Sequence, residues 1–449
     1  MGDVPQPGGN EPDDDPEREP FGLPSGGDQP FGPGGPFGQG GPFGAGGPFG
    51  PGGFDLSGLD MSQMMRLLQS EGPVNWEIAS QVATWVSTNG EPDPTIDEGA
   101  RDQFDELARA AQAHVVSETG LTTAFQAPLQ TLTPRGWSAL HVRALRRVLE
   151  SLAATLEEAM NTAQAADDVS DFEPEPGQPD LGAMFGLPPG ADPFGRMLTS
   201  LAPVLLGVQS GSMIGYLAQH ALGRYDLPLP TDDPPSLSFV VPNLDAFERE
   251  WSLPRTDLRF YIAVHEVLHA AERVVPGVQE RLVGLAIEYV STYELDPNAF
   301  EERFGDIDPS DPSSLAGIAE RPEALLGAMQ SERQRAVLPR LQALTAVLEG
   351  YADVVLERIG QRLIPSYGQI HEAMKRHRLE RGEADRFIEG LLGLHLEREH
   401  YEQGEAFCRG VIERAGLEGL NRLWTSVEML PTPNEIDAPG LWLARIDLD

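Results

Sequence analysis

The residues of this sequence that can do chemistry are concentrated in one apolar run, residues 259–272, which contains the pattern His265-Glu266-x-x-His269. Residues four apart lie on the same face of a helix, one turn above each other. Two imidazoles placed in this way can bind one Zn²⁺ ion, and a glutamate beside them can take a proton from a metal-activated water. The pattern therefore predicts that His265 and His269 bind zinc and that Glu266 acts as a general base.

A zinc ion that does chemistry needs a third protein ligand and one position left open for water. A third histidine of the metzincin type would require Gly at 272 and His at 275, but the sequence has Glu272 and Val275. One continuous helix does not readily surround an ion with three ligands, so we expect Glu272 to be an outer residue behind the direct ligands or a surface residue. The single cysteine, Cys408, excludes a disulfide within the chain and a site built from cysteines.

The predicted third ligand is Glu349, which lies in a second predicted helix downstream of the histidines. Glu349 and Asp353 are four residues apart and share a helix face. We expect Glu349 to bind the metal and Asp353 to accept a hydrogen bond from the ring N–H of a zinc-binding histidine, which would fix the ring. The alternative is that both residues belong to an ordinary acidic helix face in a very acidic protein.

The order His-Glu-x-x-His and then Glu-x-x-x-Asp resembles the pattern of gluzincins, the thermolysin-like metallopeptidases. More closely, the sequence is similar to an actinobacterial family of zincin-like proteins that is often labelled as hydrolases associated with deazaflavin-coenzyme biosynthesis. The resemblance covers about residues 196–446 together with helical residues before them, and it implies a mainly helical, zincin-like fold with a zinc site. Besides the two metal motifs, the segments that carry it are Gly207-x-x-x-Gly211, Phe239-Val-Val-Pro-Asn243 and Leu430-Pro-Thr-Pro.

Composition divides the chain into four predicted segments. Residues 1–54 form an acidic tail with Pro-Phe-Gly repeats, which we expect to be disordered because one Phe in six residues cannot build a core. Helical periodicity predicts a helical subdomain over residues 55–166. Residues 167–195 are rich in Pro and Gly and are predicted to be a linker or loop. Residues 196–449 are predicted to be the zinc-binding domain, mainly α with a very small β element.

The clearest predicted strand is residues 237–241, which is stopped by Pro242. It could be an edge strand that pairs with an extended substrate, or a buried structural strand. Asn243 or Asp245 is expected to cap the short helix that follows it. Further along the chain, Pro339 is expected to kink or break a long helix.

The net charge of −38, with a pI near 4.4, argues against nucleic acid or an anionic membrane surface as a partner, because both require a basic footprint. The start of the sequence has no secretory signal. The most apolar stretch, residues 197–222, contains several polar side chains and is predicted to be a buried helix rather than a membrane span. The expected location is the cytoplasm.

Together these features favour a zinc-dependent hydrolase of the metallopeptidase type, in which a metal-activated water attacks a peptide bond of a peptide or protein substrate. A zinc hydrolase of other amides would use the same residues. The alternative is an inactive zincin-fold scaffold, with the Phe-Gly tail as an arm that binds a protein partner. Side chains that could donate a hydrogen bond to the developing oxyanion are expected in the C-terminal part: Tyr351, His371, His400 and Tyr401.

Overall fold

The computed structural model describes residues 72–121, 127–167, 193–294, 331–379 and 383–447. These residues are mostly helical and contain two short strands, which confirms the predicted fold class. The predicted tail and nearly all of the predicted linker lie outside the described residues.

The described elements follow one another along the chain. Their bounds are α1 Trp76–Val86, α2 Ala100–Thr119, β1 Leu129–Leu132, α3 Pro134–Ala144, α4 Arg146–Asp167, α5 Pro193–His220, β2 Leu237–Val240, α6 Val241–Glu250, α7 Arg255–Val274, α8 Val278–Val290, α9 Glu332–Leu363, α10 Tyr367–Leu379, α11 Glu383–Leu391, α12 Arg398–Asn421, two 3₁₀ turns at Arg422–Trp424 and Val427–Met429, α13 Pro433–Ile436 and α14 Pro439–Ile446.

The two strands form a small parallel sheet in which Leu129 pairs with Leu237 and Leu132 with Val240. The other side of β2 is also occupied, because Gly223 forms an antiparallel bridge with Phe239 and the carbonyl of Leu222 accepts the N–H of Val240. Every residue of β2 is buried. Of the two alternatives for this strand, these contacts favour the buried structural strand over pairing with a substrate. A continuous apolar run is typical of a strand covered on both faces.

Helix α7 crosses the centre of the molecule and is buried over nearly its whole length. It packs against α2 on one side and against α9 and α8 on the other. Helix α9 is held close to α12, because a Cβ at Gly350 would lie 2.3 Å from the backbone carbon of Gly404. The two helices that carry the predicted ligands are thus central and tightly packed, as a site of fixed geometry requires.

The predicted cap of α6 was wrong, and the predicted break at Pro339 is absent. Helix α6 begins at Val241, so Asn243 lies inside it and donates from Nδ2 to the carbonyls of Ala218 and Ala221, 3.0 and 2.8 Å away. It therefore caps the end of α5, whose last carbonyls have no partners within the helix. Helix α9 runs without a break through Pro339. The buried neighbours Val337 and Leu341 anchor it on both sides of the proline.

One hydrophobic core joins residues of the predicted helical subdomain with residues of the predicted zinc-binding domain. Phe104 of α2 stacks on Phe239 of β2 with ring centroids 4.2 Å apart. Trp137 of α3 donates its indole N–H to the carbonyl of Gly223 at 2.8 Å. The domain division itself stays a prediction. Across the described helices, none combines the length and the apolar character needed to span a membrane.

Candidate metal centre

Helices α7 and α9 bring three predicted ligands together. Among the residues that the structure describes, His265, His269 and Glu349 form one group whose ligand atoms all lie within 4.8 Å of one another. The two histidines come from adjacent turns of α7, and Glu349 comes from the facing side of α9. All three side chains are buried. Two imidazole nitrogens and a carboxylate oxygen at this spacing are a donor set that suits Zn²⁺.

Both histidines are in the form that binds metals. Burial lowers the pKa of His265 to about 4 and that of His269 well below its ordinary value. Their rings are therefore neutral at pH 7, and a neutral ring has one nitrogen lone pair to offer. Desolvation is the main cause, because a low-dielectric interior disfavours the charged imidazolium.

The free nitrogen of His269 fits the metal well. Its Nδ1 lies 2.8 Å from Oε2 of Glu272, and burial raises the pKa of Glu272 well above its ordinary value. A cation at Nε2 would use the lone pair of that nitrogen and so would place the ring hydrogen on Nδ1, facing Glu272. Its Nε2 is buried without a hydrogen-bond partner in the described part of the chain, 3.8 Å from Oε1 of Glu349. A buried acceptor left without a partner is costly, and a cation between Nε2 and Glu349 would satisfy both atoms.

The outer residue that contacts a histidine ring is Glu272, and the role expected of Asp353 stays a prediction. Glu272 is fully buried and has Arg273 as its nearest cation at 3.6 Å. Asp353 is bound instead by Arg378 of α10, whose two terminal nitrogens lie 2.8 and 3.1 Å from its carboxylate oxygens. Burial opposes the ionisation of Asp353, and the charge of Arg378 outweighs it, so the pKa of Asp353 is lowered.

Glu266 is held by backbone N–H groups from a different part of the chain. Its Oε1 accepts the N–H of Tyr225 at 2.9 Å, and its Oε2 accepts those of Arg224 at 3.0 Å and Ser238 at 3.4 Å. Burial nevertheless raises the pKa of Glu266 to about 8, because desolvation outweighs these three bonds. The carboxylate is close to Gly223, where a Cβ would lie 2.4 Å from Oε1. Glycine is thus required for this approach.

The four candidate oxyanion donors lie at different places. The hydroxyl of Tyr351 donates to Asn421 at 2.8 Å, and His400 accepts a backbone N–H at the start of α12. Those hydrogen bonds are made away from the three ligands. His371 and Tyr401 line a surface pocket, together with Asp353 and Arg378.

Sequence reasoning missed two residues that lie beside the ligands. Arg378 is buried and contacts Oε2 of Glu349 at 3.2 Å. Tyr261 lies one turn before His265 on α7, and its buried hydroxyl has no hydrogen-bond partner among the described residues. Burial raises the pKa of Tyr261 well above its ordinary value, and Glu349 and Arg378 are among the charges that act on it. The four-residue spacing from His265 was a signal for Tyr261, whereas no local pattern pointed to Arg378.

Comparison with known proteins decides the family. The family model described as zincin-like metallopeptidase matches residues 74–443, which is most of the chain. The chain belongs to the zincin-like metallopeptidase family. The match begins before α1 and ends in α14, so the zincin-like region includes helices on both sides of the metal centre. Zinc is the ion that this family typically binds.

A solved structure is also similar to this zincin-like chain. It comes from Chloroflexus aurantiacus and is described as "a putative hydrolase with a novel fold". The two chains are 26% identical with a TM-score of 0.56, and the alignment covers 84% of this chain and 99% of that chain. No curated protein matches this sequence significantly.

Proposed function

We propose that this zincin-like protein is a zinc-dependent hydrolase that cleaves peptide bonds. The observation that carries the proposal is the group of His265, His269 and Glu349, with a buried Nε2 of His269 that has no other partner among the described residues. These three side chains would hold the ion. When bound, Zn²⁺ supplies a Lewis acid that lowers the pKa of a coordinated water towards 7.

Glu266 is the general base of this proposal. Three backbone N–H groups hold its carboxylate in one orientation next to His265. Its pKa is near 8 through burial, and a nearby cation would lower that pKa and favour the carboxylate. Glu266 can then take a proton from water and pass it to the leaving amine, because its pKa lies near neutrality.

Tyr261 and Arg378 are the proposed donors to the developing oxyanion. The hydroxyl of Tyr261 is buried with no partner among the described residues, so it is free to donate. The guanidinium of Arg378 already lies against Glu349 and Asp353. A donor that is fixed before the reaction stabilises developing negative charge at little reorganisation cost.

The second candidate function is an inactive zincin-fold scaffold, and two observations favour it. Both carboxylate oxygens of Glu266 are already bound by backbone N–H groups, and its side chain is fully buried. Helix α10 closes the site, with Arg378 on Glu349 and His377 3.2 Å from Asp226.

The substitution Glu266→Gln separates the two functions. It keeps the size of the side chain and removes the base. We expect the purified variant to bind zinc as the wild type does and to lose at least about a hundredfold in hydrolysis of a broad peptide library, the usual contribution of a general base. A wild type that cleaves nothing, with a variant that behaves identically, would support the scaffold.

Three finer expectations belong to the same proposal. The acidic composition supports a cytoplasmic protein that acts on peptides or proteins rather than on nucleic acid. The Phe-Gly tail, residues 1–54, is proposed to bind a protein partner. Membership of the actinobacterial subfamily with the deazaflavin label rests on the sequence motifs alone.

A further inference from the structure

A surface pocket lies directly beside the candidate metal centre. Helices α9, α10 and α12 line it, and the residues that matter here are Asp353, Lys375, Arg378, Arg398 and Tyr401. We call this group the basic pocket.

The basic pocket and the metal centre share a wall. Arg378 lines the pocket, and its Nη1 lies 3.2 Å from Oε2 of Glu349. Asp353 also lines the pocket and is one helical turn from Glu349 on α9. A group bound in the pocket would therefore be separated from the metal ligands by a single layer of side chains.

The pocket lining has three cations and three carboxylates, but not all of them are paired. The charge of Arg378 is met by Asp353 and Glu349, and Glu405 is paired with Arg409 at 2.9 Å. Lys375 makes no hydrogen bond or ion pair with the residues that the structure describes. Lys375 is therefore a lining cation without a carboxylate partner.

The lining contains two further charged residues. Arg398 and Glu402 both line the pocket, and neither has an ion pair within the described ranges. Lys375 and Arg398 are thus two cations that face one carboxylate, Glu402.

Lys375 is notable for a second reason. It is the only lysine in the 449 residues, since all other basic residues are arginines. Its neighbour Arg376 shows the usual behaviour of an exposed cation in this chain, with an ion pair to Glu372 at 2.8 Å. The two adjacent residues thus offer a matched pair: one cation lines the pocket, and the other is neutralised on the surface.

We infer that the basic pocket binds a carboxylate of the substrate and so places the bond to be cleaved at the metal centre. This inference rests on the proposed function and adds a substrate class: peptides with an anionic group close to the cleaved bond. Lys375 and Arg398 would supply the hydrogen bonds, because charged donors to a carboxylate are the strong ones. The carboxylate could be the end of a peptide or an acidic side chain.

The test measures the binding of short acetylated peptides to the zinc-loaded Glu266→Gln protein by calorimetry. One arm compares acetyl-Ala-Ala-Ala with its C-terminal amide. The other compares acetyl-Ala-Glu-Ala amide with the peptide that has Gln in place of Glu. We expect the carboxylate to improve binding about five- to tenfold in at least one arm, as one partly exposed charged contact would. The arm that shows the effect identifies the source of the carboxylate.

Substitutions in the pocket test whether its residues cause the tighter binding of the carboxylate peptide. Lys375→Gln and Arg398→Gln should each remove most of it, and Lys375→Arg should keep it. Arg376→Gln is the matched control, because it removes the same charge from the same helix outside the pocket. Equal binding of both peptides in both arms would overturn the inference, and so would an equal loss of preference in Arg376→Gln.

A readout without substitution uses the single lysine. Acylation of Lys375 by a low concentration of an amine-reactive ester is followed by mass spectrometry, and the carboxylate peptide should slow it at least about threefold, since a bound anion covers the amine. The amide peptide should not slow the acylation of Lys375. Equal protection by both peptides would contradict the inference that the basic pocket binds a carboxylate. If wild type shows no hydrolysis while the carboxylate preference persists, the proposed function fails and the pocket stands. Hydrolysis without any preference gives the reverse result.

Discussion

Replacing Glu272 should weaken zinc binding even though Glu272 is not a ligand. Its carboxylate lies 2.8 Å from Nδ1 of His269, and both side chains are fully buried. Removing an outer residue that orients a metal-binding histidine typically costs ten- to a hundredfold in affinity, or about 1.4–2.7 kcal/mol. We expect the loss of zinc affinity in Glu272→Ala to lie near the upper end of this range, because no other group replaces the oxygen next to Nδ1 of His269. The loss in Glu272→Gln should lie near the lower end of the range, because the side-chain carbonyl of Gln can still accept a hydrogen bond from the histidine ring.

The assay is competition between the protein and a chromophoric zinc chelator, with circular dichroism to show that each variant is folded. Glu272→Gln is the main variant, because it keeps the size of the buried side chain, whereas Glu272→Ala also leaves a cavity. Both variants remove the nearest counter-charge of Arg273. Glu280→Gln removes an exposed carboxylate from α8 and controls for net charge. Zinc affinities of both Glu272 variants within threefold of the wild type would refute the reasoning.

A double variant tests the role predicted for Asp353. Asp353→Asn with Arg378→Met removes an acid and the base that binds it, so the net charge stays the same. Because Arg378 also competes with a cation for Glu349, we expect zinc affinity at least equal to the wild type. A tenfold loss would mean that Asp353 does support the metal.

Three further substitutions test other parts of the account. Tyr261→Phe should leave the melting temperature unchanged, because the hydroxyl has no partner in the described structure, and should lower kcat for peptide hydrolysis roughly a hundredfold, as loss of an oxyanion donor does. Gly223→Ala would place a Cβ 2.4 Å from Glu266 Oε1, so hydrolysis should fall while zinc content stays near one per chain. Asn243→Ala should lower the free energy of unfolding by about 1–2 kcal/mol in urea titrations, because two carbonyls at the end of α5 lose their donor.

The metal ligands could be predicted because helical spacing is a local property. Two histidines four apart must share a face, and an acidic pair on a later helix offers the missing carboxylate. Local spacing could not decide whether Glu272 or Asp353 is the outer residue beside the histidine ring. It depends on how α9 is rotated against α7 and on Arg378, which binds both oxygens of Asp353 from a third helix.

The contacts of Glu266 could not be predicted from the sequence for a similar reason. The N–H groups that hold it come from Arg224 and Tyr225 and from the distant strand β2. Hydrogen bonds from backbone atoms leave no trace in residue type, apart from the glycine at 223 that makes room for the carboxylate. The partner of β2 was equally hidden, because a four-residue strand such as β1 has little periodicity to detect.

The central claim is that one zinc ion binds between α7 and α9. The most direct measurement is an anomalous difference map, at the zinc absorption edge, from crystals of the zinc-loaded protein. The account predicts one strong peak within about 2.0–2.2 Å of a nitrogen of His265, Nε2 of His269 and an oxygen of Glu349. A map with no peak there, or with a peak on other side chains, would contradict it.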